Sequence, residues 1–298
     1  LMCVGLLPTT IFLFSSFTYD AFVIAFLMLG IALFVTEYLS EEKIKTKRTM
    51  LSIFAMIVGC FSKAVYIPFL ALYWLMPKDK FYSRRQKNLF KAGIFVLLIL
   101  MFASFILPLI GNVTSGAEVG DYRGGDTSQT SQLSMILGYP LTYTGVLLKS
   151  LGTTFASYFI GSKVLANFAY RGIYDGIGYF VVLLTMLFTF VTDFGMTEKT
   201  YDAQMKRKIL MMKIWNAVLI FGTACLVWTA LYLDFTPVGS MVINGVSPRY
   251  YLPLIFPLSL IFINQKVRCS MKLENYQSLI AFLMLIGTGI SIYCLMLA

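Results

Sequence analysis

Residues 20–48, "DAFVIAFLMLGIALFVTEYLSEEKIKTKR", join one long apolar run to a loop rich in cations. The apolar run, 20–39, has the length of about 20 residues that a helix needs to cross the hydrocarbon core of a bilayer. Short loops rich in Lys and Arg remain in the cytoplasm, and this loop contains Lys43, Lys45, Lys47 and Arg48. The stretch therefore predicts a transmembrane helix that begins at the outer face and ends at the inner face.

The composition of the whole chain indicates the same class of protein. Of its 298 residues, 58% are hydrophobic and 13% are charged, and the mean hydropathy is +0.79. So little polar surface excludes a soluble globule, and no long polar segment leaves room for a soluble catalytic domain. We therefore predict an all-α, polytopic integral membrane protein that forms a single transmembrane domain over residues 1–298.

The net charge of +10 follows from this topology and does not indicate a nucleic-acid partner. Most of the 24 Lys and Arg residues lie in four short loops, the first of which is given above. The other three loops contain Lys78, Lys80, Arg84, Arg85, Lys87 and Lys91; Lys199, Lys206, Arg207, Lys208 and Lys213; and Lys266, Arg268 and Lys272. This distribution predicts that all four loops are cytoplasmic.

The basic loops constrain the number of crossings. Only 49–76 separates the first two loops, so we predict two short helices there with "CFSKAVY", 60–66, at the outer tip. If segment 133–160 crossed, the third basic loop would be outside, so we interpret this Gly- and Pro-containing segment as re-entrant or interfacial. The prediction is then about nine crossings, in 1–15, 20–39, the two halves of 49–76, 89–110, 176–192, 213–233, 250–264 and 277–297.

Nearly all charges outside the basic loops fall on the predicted outer side: Asp20, Lys63, Arg123, Asp126, Lys163, Arg171, Asp175, Asp234 and Arg249. Lys63 and Arg249 lie between apolar runs, where an unpartnered cation costs about 2.5–3.5 kcal/mol, so we expect both to face a polar cavity. Asp20 is expected to point into this cavity close to Lys63. The alternative is that Asp20 only caps the helix that starts at Ala21.

Two cations with carboxylates beside a bilayer suggest a ligand with a phosphate head and a lipid tail. Arginine binds phosphate with a planar fork, lysine adds a point charge, and a carboxylate can accept a proton from a hydroxyl. Histidine is absent from the chain, so carboxylates, lysine, arginine and tyrosine remain for any chemistry. This pattern fits glycosyl transfer from a polyprenyl-phosphate carrier. The alternative is a transporter or flippase for a lipid-linked or anionic solute, which predicts charged groups along a path to both faces.

Five stretches also carry a resemblance to a known family: "LPTTIFLFSSFTYDAF" (7–22), "FSKAVYIPFLALYWLMP" (61–77), "YRGGDTSQTSQLSMILGYPLTY" (122–143), "RGIYDG" (171–176) and "TPVGSMVINGVSPRYYLP" (236–253). In their order they resemble a family of bacterial multi-pass membrane proteins, the domain of unknown function 2142. That family is similar to the GT-C glycosyltransferases, which use lipid-linked sugar donors. The resemblance covers nearly the whole chain, and its most specific parts are the "RGGDT" element and the segment that ends in "RY".

The resemblance implies a site and its partners. The implied site contains Asp20 as the catalytic residue and, as substrate-binding residues, Tyr19, Lys63, Tyr66, Arg123, Asp126, Asp175, Arg249 and Tyr250. The implied partners are a polyprenyl-phosphate lipid carrier, a glycan acceptor and the lipids of the bacterial plasma membrane. No cofactor is assigned, and a divalent metal is left open.

The chain departs from the family pattern at two places. The pattern G-V-Q-G-R-Y is replaced by Gly245-Val-Ser-Pro-Arg-Tyr250, so a flexible glycine becomes Pro248 and the turn is expected to be stiffer. Family members also have an earlier helix and an outer loop with Asp-Glu and a His, and GT-C enzymes keep the catalytic acid in such a loop. This chain starts at Leu1 in the following helix, and we expect an N-terminal truncation. The alternative is a chain that lacks the part that would make it an enzyme.

Overall fold

The computed structural model describes residues 1–115, 125–192, 202–262, 267 and 269–297. It is 79% helical, and the described residues contain no β-strand, only a bridge pair between Asn167 and Ile173. The α-helices are α1 Met2–Gly5, α2 Pro8–Phe14, α3 Asp20–Leu39, α4 Thr46–Phe61, α5 Arg84–Ser115, α6 Gln129–Gly138, α7 Pro140–Phe159, α8 Ser162–Leu165, α9 Ile177–Val191, α10 Ala203–Phe235, α11 Leu252–Phe262 and α12 Leu273–Met296. The 3-10 helices are Ala64–Leu75, Lys78–Lys80, Ala169–Arg171 and Pro248–Tyr251.

The apolar helices confirm a helical membrane protein. Among the described residues, the helices long and apolar enough to cross a membrane are Asp20–Leu39, Arg84–Pro108, Ala203–Phe235 and Leu273–Leu295. Shorter apolar helices occupy Ala64–Leu75 and Ile177–Val191. The predicted first crossing, 1–15, is divided into α1 and α2, because Pro8 keeps Leu7 extended and starts a new helix.

The close packing of α3 against α4 depends on a glycine. A Cβ at Gly30 would lie 2.5 Å from Met56 Cγ and 3.1 Å from the Ser52 carbonyl oxygen. Because Gly30 has no side chain, the Ser52 hydroxyl can donate a 2.6 Å hydrogen bond to its carbonyl oxygen. Small residues bring helices close together in membrane proteins in this way.

The predicted pair of short helices in 49–76 is confirmed, with one unexpected feature. Helix α4 ends at Phe61, and the next helical segment, Ala64–Leu75, is a 12-residue 3-10 helix. With rises of 1.5 and 2.0 Å per residue, each is about 24 Å long. Seven of the 12 residues of the 3-10 helix are buried, and Trp215 Nε1 donates a 3.0 Å hydrogen bond to its Ala71 carbonyl oxygen. Tertiary packing therefore stabilises a 3-10 helix much longer than usual.

Three of the four basic loops meet at one end of the molecule, as the topology prediction requires. Lys43 Nζ donates to the Asp79 carbonyl oxygen at 2.8 Å, and Lys80 Nζ donates to the Ser40 and Glu42 carbonyl oxygens at 2.5 and 3.0 Å. Burial lowers the pKa of the Lys80 ammonium. In the third loop, Lys208 lies 3.7 Å from Asp79. These contacts join the loops that were predicted to share the cytoplasmic face.

Helix α7 lies across α10. Tyr143, near the start of α7, is 2.5 Å from the Thr229 hydroxyl and packs against Tyr232. Tyr158, near its end, stacks on Trp228 with ring centroids 6.1 Å apart. If the two helices ran side by side, these contacts would be about 15 residues apart along α10. Instead both ends of α7 contact the same turn.

Candidate functional site

Three turns that are distant in sequence form one polar cluster. Tyr19 and Asp20 come from the start of α3, Lys63 from the break between α4 and the long 3-10 helix, and Arg249 and Tyr250 from the 3-10 turn before α11. Each turn follows or precedes an apolar helix, so each is held at a helix end. We call these five residues and Tyr66 the cation cluster.

Asp20 is the centre of the cation cluster. Its Oδ1 lies 2.5 Å from Lys63 Nζ, and the two side chains are 6% and 13% exposed. This confirms the prediction that Asp20 lies close to Lys63. The alternative role as the helix cap is not seen, because the N-cap residue of α3 is Tyr19 and Asp20 is the first residue of the helix.

Aromatic rings hold the Lys63 ammonium on its other sides. Lys63 Nζ lies 3.9 Å from the centre of the Tyr250 ring and 5.0 Å from that of Tyr19. Cation–π contacts of this kind stabilise a cation that has left water. Burial and then the Asp20 carboxylate raise the pKa of the Tyr19 phenol, so it stays neutral. Lys63 is therefore largely surrounded by side chains of its own protein.

Arg249 is held less completely than Lys63. Its Nε lies 3.5 Å from Asp20 Oδ2, and its side chain is 40% exposed. This Nε is buried and has no hydrogen-bond acceptor among the residues that the structure describes. Two cations thus face one carboxylate, so the cluster has an excess of positive charge beside a half-exposed guanidinium. Such an arrangement can bind an anion.

The segment that carries Arg249 is fixed at nearly every position. Gly245 has φ +79°, and a Cβ there would lie 2.3 Å from Phe235 Cδ1, so only glycine fits. Pro248 occupies the first turn of the 3-10 helix Pro248–Tyr251. The Tyr250 carbonyl oxygen then accepts a 2.6 Å hydrogen bond from the buried Tyr66 hydroxyl. Tyr66 thereby connects the two turns that supply Lys63 and Arg249.

Two of the predicted site residues, Asp126 and Asp175, are not joined to the cluster by any contact among the described residues. Arg123 lies outside the described residues. Asp126 is exposed, and its carbonyl oxygen accepts a hydrogen bond from Val238 N at 3.2 Å, in the loop after α10. Asp175 is exposed in the loop before α9.

Two further aromatic residues support the cluster without having been predicted. The Tyr158 hydroxyl donates to the Val246 carbonyl oxygen at 2.9 Å, and Trp228 Nε1 donates to the Tyr251 hydroxyl at 2.6 Å. Both hydrogen bonds fix the segment around Arg249 from α7 and α10. Neither residue has a local sequence signal, because its partner is far away in the chain.

A metal site needs several His, Cys, Asp or Glu side chains that converge on one point. Within the described ranges, no three side chains of His, Cys, Asp or Glu lie close enough together to hold a metal ion. Asp20 is the carboxylate of the cation cluster, and both of its oxygens face cations.

Comparisons with known proteins give one family. No curated protein and no solved structure matches the chain. The profile of a family described as "Predicted membrane protein (DUF2142)" matches residues 1–258, which include every residue of the cation cluster. The match covers most of the chain, and the chain therefore belongs to the DUF2142 family of membrane proteins.

Proposed function

We propose that this protein is a GT-C-like membrane glycosyltransferase that uses a polyprenyl-phosphate-linked sugar at the outer face of the bacterial plasma membrane. Its role would be in the assembly of a cell-surface glycan or polysaccharide. The observation that carries the proposal is the pairing of both Lys63 and Arg249 with the single carboxylate of Asp20. The positive charge left over favours a phosphate, and the surrounding apolar helices favour a lipid carrier.

Arg249 is the residue that we assign to the phosphate. Lys63 is surrounded by Asp20 and two rings, whereas the Arg249 side chain is 40% exposed. A planar guanidinium can donate two parallel hydrogen bonds to a phosphate. The turn that contains Arg249 leads directly into α11, so the positive end of that helix dipole supports the same anion.

Asp20 is assigned two successive roles. Before the ligand binds, it neutralises part of the charge of Lys63 and Arg249. When Arg249 contacts a phosphate, Asp20 Oδ2 is released and can accept a proton from the hydroxyl of the glycan acceptor. Lys63 keeps Oδ1 in place throughout.

The topology proposed with this function has about nine crossings. Helix α7 would lie along the outer interface, since both of its ends contact the same turn of α10. Irregular or amphipathic segments are tolerated there when protein covers them. This arrangement places the cation cluster at the outer face, opposite the joined basic loops.

Substitution of Arg249 tests the proposed phosphate contact. In nanodiscs, Arg249→Lys should lower the affinity for undecaprenyl phosphate by about tenfold, because the fork is lost while the charge remains. Arg249→Ala should lower it further. Arg171→Lys and Arg171→Ala are the matched controls, because Arg171 is exposed on the same proposed face. Equal affinities in all five proteins would overturn the assignment.

Substitution of Asp20 distinguishes the proposed enzyme from the alternative transporter. With a panel of radiolabelled polyprenyl-phosphate sugars in proteoliposomes, we expect Asp20→Asn to reduce transfer of the label to an acceptor by at least about 10²-fold, the usual contribution of a general base. Binding of the lipid should change much less. Movement of the lipid between leaflets without any transfer would favour the flippase instead.

A further inference from the structure

An apolar groove begins beside the cation cluster. A cavity of about 420 Å³ lies between α7, α10 and α11, and Tyr251, the neighbour of Tyr250, forms part of its wall. A second cavity of about 300 Å³ lies next to the first, with Phe155, Phe159 and Leu258 in the walls of both, and reaches α9. Phe159 packs edge-on against the Tyr251 ring, with centroids 4.9 Å apart.

The chemistry of the groove excludes a polar ligand. Apart from Tyr251, the first cavity is lined by aliphatic and phenyl side chains and by glycine, among them Leu151, Gly152, Phe155 and Ala224. The Tyr251 hydroxyl already accepts the hydrogen bond of Trp228. A polar group placed there would lose its hydrogen bonds to water with little in exchange. A hydrocarbon chain would lose nothing and would gain close contacts.

We infer that this groove between α7, α10 and α11 binds the polyisoprenoid chain of the lipid whose phosphate contacts Arg249. The inference rests on the proposed function and adds the site of the tail. Successive Cα atoms are about 3.8 Å apart, so Arg249, Tyr250 and Tyr251 place a positive head site directly before an apolar tail site. Each cavity is in the size range of a ligand pocket and has room for the first isoprene units of one chain. A single-chain phosphate lipid matches them, whereas a two-chain phospholipid would leave one chain outside.

Gly152 offers a direct way to fill the groove. It lies in the wall formed by α7, and a Cβ added there meets no atom within 4 Å. Gly152→Leu therefore places a side chain into the groove without displacing the backbone. Gly145 is the matched control on the same helix, since a Cβ there also meets nothing and the residue lines neither cavity.

The experiment measures binding of undecaprenyl phosphate and of the short-chain farnesyl phosphate to the protein in nanodiscs. Gly152→Leu should weaken the binding of both lipids by about tenfold, because the first isoprene units of either chain would follow the phosphate into the first cavity. Gly145→Leu should change neither affinity by more than about twofold. A photoreactive prenyl phosphate with a diazirine on its chain should label α7, α10 and α11 of the unaltered protein. That measurement does not depend on the folding of any variant.

The outcomes separate this inference from the function on which it rests. If Arg249→Ala weakens both lipids but Gly152→Leu weakens neither and the diazirine labels other helices, the tail site is wrong and the head site stands. The binding of undecaprenol, which has the same chain and no phosphate, is measured as well. If Gly152→Leu weakens the binding of undecaprenol as much as that of undecaprenyl phosphate, and Arg249→Ala changes neither, the groove binds the chain but the phosphate assignment is wrong. Equal displacement of the probe by phosphatidylglycerol would identify an ordinary membrane lipid and overturn the inference.

Discussion

Asp20 contacts two cations that come from opposite ends of the sequence. Lys63 and Arg249 were predicted to share a polar cavity with it because each interrupts or borders an apolar run, and an isolated cation there is costly. The structure brings all three together. The supporting residues Tyr158 and Trp228 could not be predicted in this way. The chain contains 18 Tyr and 3 Trp, and no local pattern tells which of them will meet a distant carbonyl or hydroxyl.

The backbone conformation at Gly245 should make the stability of the protein sensitive to substitution there. Gly245→Ala should destabilise the protein by about 2–3 kcal/mol, because a non-glycine residue in the left-handed region is strained and Cβ would overlap Phe235. Thermal unfolding in detergent measures the loss. Gly239→Ala is the control, since Gly239 has φ +78° and a Cβ there meets no atom within 4 Å. It should show only the backbone cost of about 1–2 kcal/mol. Equal losses would show that the contact with Phe235 does not matter.

The elements of the fold were predictable where length and apolarity decide them. The run 20–39 is α3 to the residue, and the break predicted near Lys63 separates α4 from the next helix. The 3-10 conformation of Ala64–Leu75 was not predicted. Its sequence is apolar throughout. It therefore has no alternation of polar and apolar residues whose period would distinguish an α-helix from a 3-10 helix. The surrounding helices decide between them.

The close packing of α3 on α4 should make the protein sensitive to a larger side chain at Gly30. Gly30→Val should lower the free energy of unfolding by about 1–3 kcal/mol, because the larger side chain meets Met56 and the Ser52 backbone. It should also weaken the cation cluster, since α3 carries Asp20 and α4 ends just before Lys63. Gly93→Val in α5 is the matched control, because a Cβ there meets nothing within 4 Å. A loss at Gly93 equal to that at Gly30 would contradict the role of close packing.

The basic loops and the cation cluster lie at opposite ends of the helices α3 and α4. The first three basic loops contact one another through Lys43, Lys80 and Lys208, and the cation cluster lies at the other ends of α3 and α4. Charge patterning predicted this division because cations in short loops fix orientation. The number of crossings is harder to predict from the sequence. A short or bent apolar segment can be either a transmembrane helix or an interfacial helix, and the two have similar composition.

Labelling of single cysteines tests the orientation of the molecule. In a variant without the five native cysteines, positions 45, 85, 207 and 268 should be accessible only from the cytoplasm, and positions 123, 171 and 245 only from outside. Positions 139 and 160, at the two ends of α7, should both be labelled from outside. Cytoplasmic labelling at 171 would mean that 133–160 crosses the membrane, and the proposed topology would be wrong.

The contacts of Asp20 also imply an order of assembly during translation. Asp20 and Lys63 are 43 residues apart. They can pair while the ribosome is still synthesising α5, so neither charge has to wait unpaired in the bilayer. Arg249 is synthesised nearly 200 residues after Lys63. Arg249 and its neighbour Tyr250 are therefore the last two residues of the cluster to be made. A nascent chain therefore carries a neutral pair, and the positive site arises only when α11 docks. The excess positive charge of the cation cluster is therefore completed late, after most of the helices have been synthesised.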